Sequence, residues 1–388
     1  MKIVKAKWLN DADSPVVLMV DDLNNLWFDI NRNGHPGLGE DWGFWRDLPG
    51  SSFAYLRNNL LNRYPKVKVT FFTVVGNPII CKSKLGKEYK GAINENIKSI
   101  EFFRSIQHSN NFEIAFHGLH HGIVRNRDYV HEWSSFSTLE EALGNIEQGQ
   151  DICKQIFGKR LKGGKYPGYT SNIYSDDSID KAGFSWWCRE WTYRKFINSG
   201  NDYSVFEMRS FGDNNVIDFP STVSPSIIRN NVVLRCGRMI LRRHYPSLES
   251  HLEALLRNNK VISIQEHSGA IRGDGMRQTP NIVDTMPILQ NTFSFLAGKN
   301  VWHATCSEIA NYHIAFTYTH IKTICVDSFS LTYSGRAERP WLTLVINKKK
   351  PIDIISPSGK SNRSSKHHSR DNYSVVNIEV ENGLYQIR

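Results

Sequence analysis

The 388-residue chain contains no apolar run near the ~20 residues needed to cross a bilayer. Its lysine-bearing first residues lead into charged and polar positions where a secretory leader carries an apolar stretch, so a cytoplasmic protein without a membrane span is expected. Six cysteines, Cys81, Cys153, Cys188, Cys236, Cys306 and Cys325, lie far apart with no CxxC pair. That excludes a zinc ribbon and a dense disulfide framework, and it fits a reducing compartment. No heptad run is sustained, and the 27 Gly and 14 Pro follow no period, which removes coiled-coil and collagen-like classes. No internal repeat is evident. Nucleic-acid binding is also set aside, because neither a reader motif nor an interleaving of basic and aromatic residues is present.

What is there describes a folded globular protein. An aromatic content of 12% is too rich for a solvated coil, and the length allows two or three domains. The formal net charge is +10, and half of that surplus falls after His313, where 11 Lys and Arg face 6 Asp and Glu. Such a balance is met by a solvated basic surface or by an acidic partner: a polyanionic glycan, a nucleotide-sugar or an anionic lipid head group.

Strand and helix signals alternate through the first three hundred residues. Apolar or β-branched runs at Pro15–Val20, Val67–Val75, Phe112–Phe116, Phe184–Trp187, Val216–Phe219, Val261–Gln265 and Val301–Ala304 read as strands. Helical patterns lie between them at 51–64, 94–107, 247–257 and 281–297, with a further one opened by a capping box at Ser137–Glu140 and closed by Gly158. A short helix through Ile309 follows the last strand. This alternation implies βαβ units and a parallel sheet or (β/α) barrel. Residues 190–245 interrupt it as a loop-rich elaboration. Short β-rich runs without helices follow from about residue 313, so the expected organisation is an α/β barrel over 1–312 and a small all-β, sandwich-like domain over 313–388.

Chemistry-bearing residues fall at strand ends, where barrel active sites collect. Asp21-Asp22 follows the first strand. His117-Gly-Leu-His120-His121 follows Phe112–Phe116, and spacing alone leaves open whether His117 would share a metal with His121 or with His120. Gly163-Gly-Lys165-Tyr-Pro-Gly168-Tyr169 brings a cation and a tight turn, and His267 follows a later strand.

In that order these motifs resemble the polysaccharide deacetylase family (carbohydrate esterase family four) over about residues 15–310. Lys68–Thr73 is similar to the family's second strand and Trp302–Ala310 to its closing segment. The resemblance implies a distorted barrel of seven strands. It also implies one divalent ion held by Asp22, His117 and His121, zinc by default, with iron, cobalt or manganese compatible. Asp21 would be the general base and His267 the general acid, and the loop at Gly168 and Tyr169 would give a backbone N–H to the oxyanion. Lys165 stands where the family has an arginine that orients the base, and it lacks the bidentate fork. The first motif reads Met19-Val-Asp-Asp, and Glu266 precedes His267. The run Trp186–Trp191 replaces an acidic motif; its aromatics either pack in the core or stack on a sugar ring, with Trp187 the candidate for stacking.

The implied activity is metal-dependent removal of an N-acetyl group from an amino sugar. An acetamide is a poor electrophile and water a poor nucleophile, so the reaction needs both a Lewis acid and a base. With no export leader, a nucleotide- or lipid-linked precursor of a surface polysaccharide, O-antigen or capsule, fits as substrate. The rivals are a hydrolase of ureides, cyclic amides or O-acetyl esters on the same scaffold, and a non-catalytic glycan-binding protein. Survival of Asp21, Asp22, His117, His121 and His267 together argues against the last.

Overall fold

The computed structural model describes residues 2–44, 50–81, 87–224, 246–269, 271–348, 350–368 and 373–388. Seven parallel strands form the core. In sheet order they are Val216–Asp218, Trp186–Cys188, Gly163–Lys165, Phe112–Phe116, Val69–Thr73, Ser14–Leu23 and Ile262–His267. The two ends meet where Val223 bridges Ile264 in parallel. Its N–H donates to Ser263 O at 3.0 Å, and the Gln265 N–H donates to Val223 O at 2.9 Å. A distorted (β/α)7 barrel results, as the resemblance implied. Val301–His303 adds in parallel to the start of Ser14–Leu23, and Arg209–Phe211 adds antiparallel to Val216–Asp218.

The pleat sorts the first strand, which is buried throughout. Val16, Leu18 and Val20 join the cluster shared with the surrounding helices, which includes Phe103, Ile146 and Leu252. Val17 and Met19 face the barrel interior with Phe72, Ala115, Trp186 and Ile217. The helix at Leu139–Phe157 is capped by Thr138, whose hydroxyl accepts the Glu141 N–H at 3.1 Å. The cap therefore sits one residue beyond the expected Ser137, and Glu141 reaches back to the Ser137 N–H at 2.7 Å. Gly158, at φ 69°, ends the helix as anticipated.

A helix at Cys306–Tyr318 closes the far end of the barrel, extending well past the expected Ile309. Its N-terminus enters the interior. The Cys306 N–H donates to Thr70 Oγ1 at 2.9 Å, the Ser307 N–H to Glu113 Oε2 at 3.1 Å, and Trp186 Nε1–H to Ser307 Oγ at 2.8 Å.

Beyond this helix lie two antiparallel sheets. One has five strands, in the order Thr319–Cys325, Ser328–Tyr333, Gly383–Ile387, Asp353–Ile355, Ser361–Arg363. The other has four: Ile3–Lys5, Trp341–Asn347, Tyr373–Glu379 and Lys366–His368. Phe329, Leu331, Leu342, Leu344, Ile354 and Tyr385 fill the space between them in the cluster that continues into the barrel interior. The chain's first strand thus belongs to the C-terminal sheet, with Ile3 opposite Ile346. Within 190–224 lie a short helix at Thr192–Asn198 and the strands already given. The remainder of the expected elaboration, 225–245, is outside the described residues, as is Cys236.

Candidate active site

Adjacent residues on a strand point to opposite faces, yet Asp21 and Asp22 line the same pocket. A bulge makes this happen. The register with Val69–Thr73 slips between Asp21 and Leu23, and Asp22 takes φ 67°. The histidine loop is shaped in a similar way, with Gly118 at φ 101° and His121 at φ 66°. Buried Glu132 clamps it by accepting the N–H groups of Leu119 and His120, each at 2.9 Å.

His117 Nε2 lies 3.6 Å and His121 Nε2 3.3 Å from Asp22 Oδ1. One donor atom from each of the three residues falls within a 4.8 Å group. His120 is engaged elsewhere, with Nδ1 2.8 Å from Asn77 O, so the geometry selects His117 and His121. The outer nitrogens of the pair are anchored. His117 Nδ1 is 3.0 Å from Lys165 O, a carbonyl that can only accept, which leaves Nε2 unprotonated and facing inward. His121 Nδ1 lies 2.6 Å from the Tyr129 hydroxyl, and Trp42 sits edge-on to the ring at 5.8 Å.

Burial holds the His117 imidazole down to about 4, so it is neutral at pH 7. For Asp22 burial pushes upward, but the imidazoles of His121, His267 and His117 outweigh it and hold the carboxyl well below its usual range. The buried Oδ1 atoms of Asp21 and Asp22 have no hydrogen-bond partner. One ionised carboxylate, two imidazoles whose Nε2 atoms face it and an orphaned oxygen fit a divalent cation, and the donor chemistry suits zinc or its neighbours.

Asp21 is gripped from its other oxygen. Lys165 Nζ lies 2.5 Å from Asp21 Oδ2, and both side chains are almost fully buried. Gln265 Nε2 is 3.4 Å and His267 Nε2 3.7 Å from the same atom. The Asp21 carbonyl accepts from the Ser268 N–H and hydroxyl at 3.0 and 2.9 Å. The Lys165 ammonium stands 4.5 Å over the Tyr169 ring and 5.1 Å over Phe72. Packing between two aromatic faces and a carboxylate fixes this lysine without a guanidinium fork.

Two expected site residues need correction. The Tyr169 N–H is already donated to Tyr166 O at 3.0 Å and its hydroxyl to Gln265, so of the expected pair only Gly168 keeps its N–H outside the turn's bonds. Trp187 does not reach the pocket. Strand alternation turns Trp186 inward and Trp187 outward, where it is fully buried against Phe184, Tyr166 and Trp133. From the same aromatic run it is Trp191 that lines the pocket.

The pocket encloses about 690 Å³. Sequence reading missed Tyr129 and His131, carried on a hairpin of Gly122–Arg125 and Asp128–His131, and also Gln265, Arg272 and Asp274. His131 abuts the Gly168 turn: a Cβ at 168 would lie 2.3 Å from its Nε2. Burial, then the charge of His121, holds His131 down to about 4.

No family model matches the chain, and no curated protein matches it. Among solved structures it is similar to a probable polysaccharide deacetylase from Pseudomonas aeruginosa PAO1, at 13% identity over 79% of this chain and 93% of that one, TM-score 0.47. It is similar to PuuE allantoinase at 12% identity over 79% and 92%, TM-score 0.47. A family 4 acetyl xylan esterase from Clostridium thermocellum in complex with a cobalt ion gives 12% identity over 76% and 90%, TM-score 0.36. Polysaccharide deacetylases and carbohydrate esterase family four proteins recur among these structures.

Proposed function

We propose that the chain is a divalent-metal-dependent hydrolase that removes the N-acetyl group of an amino sugar. The observation that carries this reading is the convergence, in one pocket, of the Asp22–His117–His121 donor set with the Lys165–Asp21 pair and His267. A bound ion, zinc by default, would supply a Lewis acid for the acetyl carbonyl and a lowered pKa for water. Asp21, held at Oδ2 by Lys165, has Oδ1 free to take a proton from that water. Gly168 offers its N–H to the carbonyl oxygen as it becomes anionic. His267, beside Asp21 and partly open to the pocket, gives its proton to the departing nitrogen.

Tyrosines aside, the pocket's ionisable lining outside this set is Asp128, Asp274, Arg272 and His131, whose imidazole burial holds down to about 4. The acetamido sugar therefore enters the pocket, and an anionic carrier stays outside it. A nucleotide- or lipid-linked precursor of O-antigen or capsule, met in the cytoplasm, fits this division. The described cysteines are all free, in keeping with that compartment. The test is acetate release by the zinc-loaded protein from free, nucleotide-linked and polymeric N-acetylated sugars, with allantoin and acetyl xylan alongside. Release from amino-sugar conjugates, abolished in Asp21→Asn, is expected. Turnover of the ureide or the ester alone would replace this reading with its nearest rival.

A further inference from the structure

The loop that follows the strand Asn25–Phe28 plays no part in the chemistry above. From residue 29 to 40 it reads DINRNGHPGLGE, with Asp29 first, Asn31 third, Asn33 fifth, Gly34 sixth and Glu40 twelfth. Those are the ligand positions of a twelve-residue calcium loop: an acid at 1, amide or acid at 3 and 5, glycine at the sharp turn, and a glutamate at 12.

The fold brings these positions together. The Phe28 N–H donates to Glu40 O at 2.9 Å and the Trp42 N–H to Leu26 O at 2.9 Å, so the two ends of the loop lie side by side. Gly34 takes φ 80° at the turn. A Cβ on Gly37 would lie 2.8 Å from Glu40 Oε2 and 3.2 Å from the Asn31 amide, so that carboxylate and that amide meet over a glycine-floored cradle. Asp29 and Glu40 are each only 4% exposed. Among the described residues neither has a Lys, Arg or His within ion-pair distance; each oxygen accepts one backbone N–H, from Asn33 and Gly34 or from Asn31 and Gly37. Two buried carboxylates without a cation call for one.

We propose that residues 29–40 bind a calcium ion through the side-chain oxygens of Asp29, Asn31, Asn33 and Glu40 and the His35 carbonyl. An all-oxygen set selects a hard cation and separates this site from the His117–His121 site. Two carboxylates carry less charge than the richer calcium loops, which sets the affinity at the weak end, roughly 10⁻⁵–10⁻³ M. The loop also supports the pocket wall. Trp42, two residues beyond Glu40, accepts the Asn24 N–H at its carbonyl at 2.6 Å and presents its indole edge to His121.

Titration of the chelator-treated full chain with calcium chloride, by calorimetry and by competition with tryptophan-sensitised terbium luminescence, tests this. One ion is expected in the wild type and in His121→Ala, with binding weakened at least about tenfold in Glu40→Gln and Asp29→Asn at unchanged circular dichroism. Three results overturn the proposal: no uptake by the wild type at about 10 mM, unchanged binding in both loop variants, or loss in His121→Ala alone. Should the loop variants not fold, the wild type and His121→Ala are melted in calcium and in EGTA. A Tm raised by calcium in both supports the site, and equal Tm values in both overturn it.

Discussion

The two ends of one barrel have been built for opposite purposes. At the C-terminal ends of the strands, Asp21, Asp22, His117 and Lys165 are buried polar groups held in costly arrangements, with positive φ at the non-glycine residues Asp22 and His121. At the other end the same interior is filled by Val17, Met19, Phe72 and Trp186 and sealed by the helix Cys306–Tyr318. There Thr70 and Glu113, the polar side chains beside the closing helix, receive its own N–H groups. The bulge and the unmatched carboxylate oxygens of Asp21 and Asp22 sit at the end that the proposed function makes the reactive one, and the far end ties Thr70 and Glu113 to the closing helix.

The sharpest way to break that comparison is at the open end. His121→Ala should lose the bound metal and about 10³-fold or more of the hydrolytic rate while the melting temperature of the metal-free chain changes little. Elemental analysis beside acetate release measures both. Metal retained at wild-type stoichiometry would remove the donor set from the argument. Next in size is Lys165→Met, which strands the buried Asp21 carboxylate and should cost about 3–5 kcal/mol of stability as well as activity. Chemical denaturation of the wild type and the variant reads it. A loss below about 1 kcal/mol would mean that Asp21 is not paired in solution as it is here.

The closed end should answer differently. Leu344, fully buried between the C-terminal sheets, should cost about 2–5 kcal/mol as Leu344→Ala and leave kcat unchanged at temperatures where the chain stays folded. A drop in kcat at full folding would show that the β-sheets tune the pocket. Between the two ends in size lies Tyr129→Phe. It removes the hydroxyl 2.6 Å from His121 Nδ1 and should weaken metal binding by about 10–100-fold. Competition with a chromophoric chelator measures it.

Much of the barrel and of the candidate site was legible in the sequence because local signals and position agreed: apolar β runs, helix caps, and chemistry at strand ends. Asp21, Asp22, His117, His121, Lys165 and His267 could be named because they sit in short motifs in a recognisable order. What could not be read depended on contacts distant in sequence. The bulge at Asp22 is a register slip against Val69–Thr73, and nothing in Met19-Val-Asp-Asp announces it. Trp187 and Trp191 carry the same composition signal, and only strand phase sends the first into the core and leaves the second at the pocket. Ile3–Lys5 has too few residues to read as a strand, and its partner lies some 340 positions away. Tyr129 and His131 ride a hairpin with no apolar alternation, so neither drew notice.

The smallest test lies at the junction itself. Thr305 opens the closing helix, with its hydroxyl accepting the Glu308 N–H at 3.3 Å and Glu308 accepting the Thr305 N–H at 2.8 Å. Thr305→Ala removes half of that capping box and should cost about 1 kcal/mol. The helix N-terminus is tied down a second time inside the barrel, by Thr70 and Glu113, so the loss should appear as a lower Tm with no change in kcat or in metal content. Thr70→Val in the same background would remove the tie to Cys306 and leave Glu113 on the Ser307 N–H. If the closed end is purely a foundation, the two losses sum in the double variant, and the pocket still turns over at the wild-type rate. If the rate falls, the seal at the bottom is being felt at His117 and Lys165 through Phe72 and Trp186, and the division between the two ends gives way to a single mechanical unit.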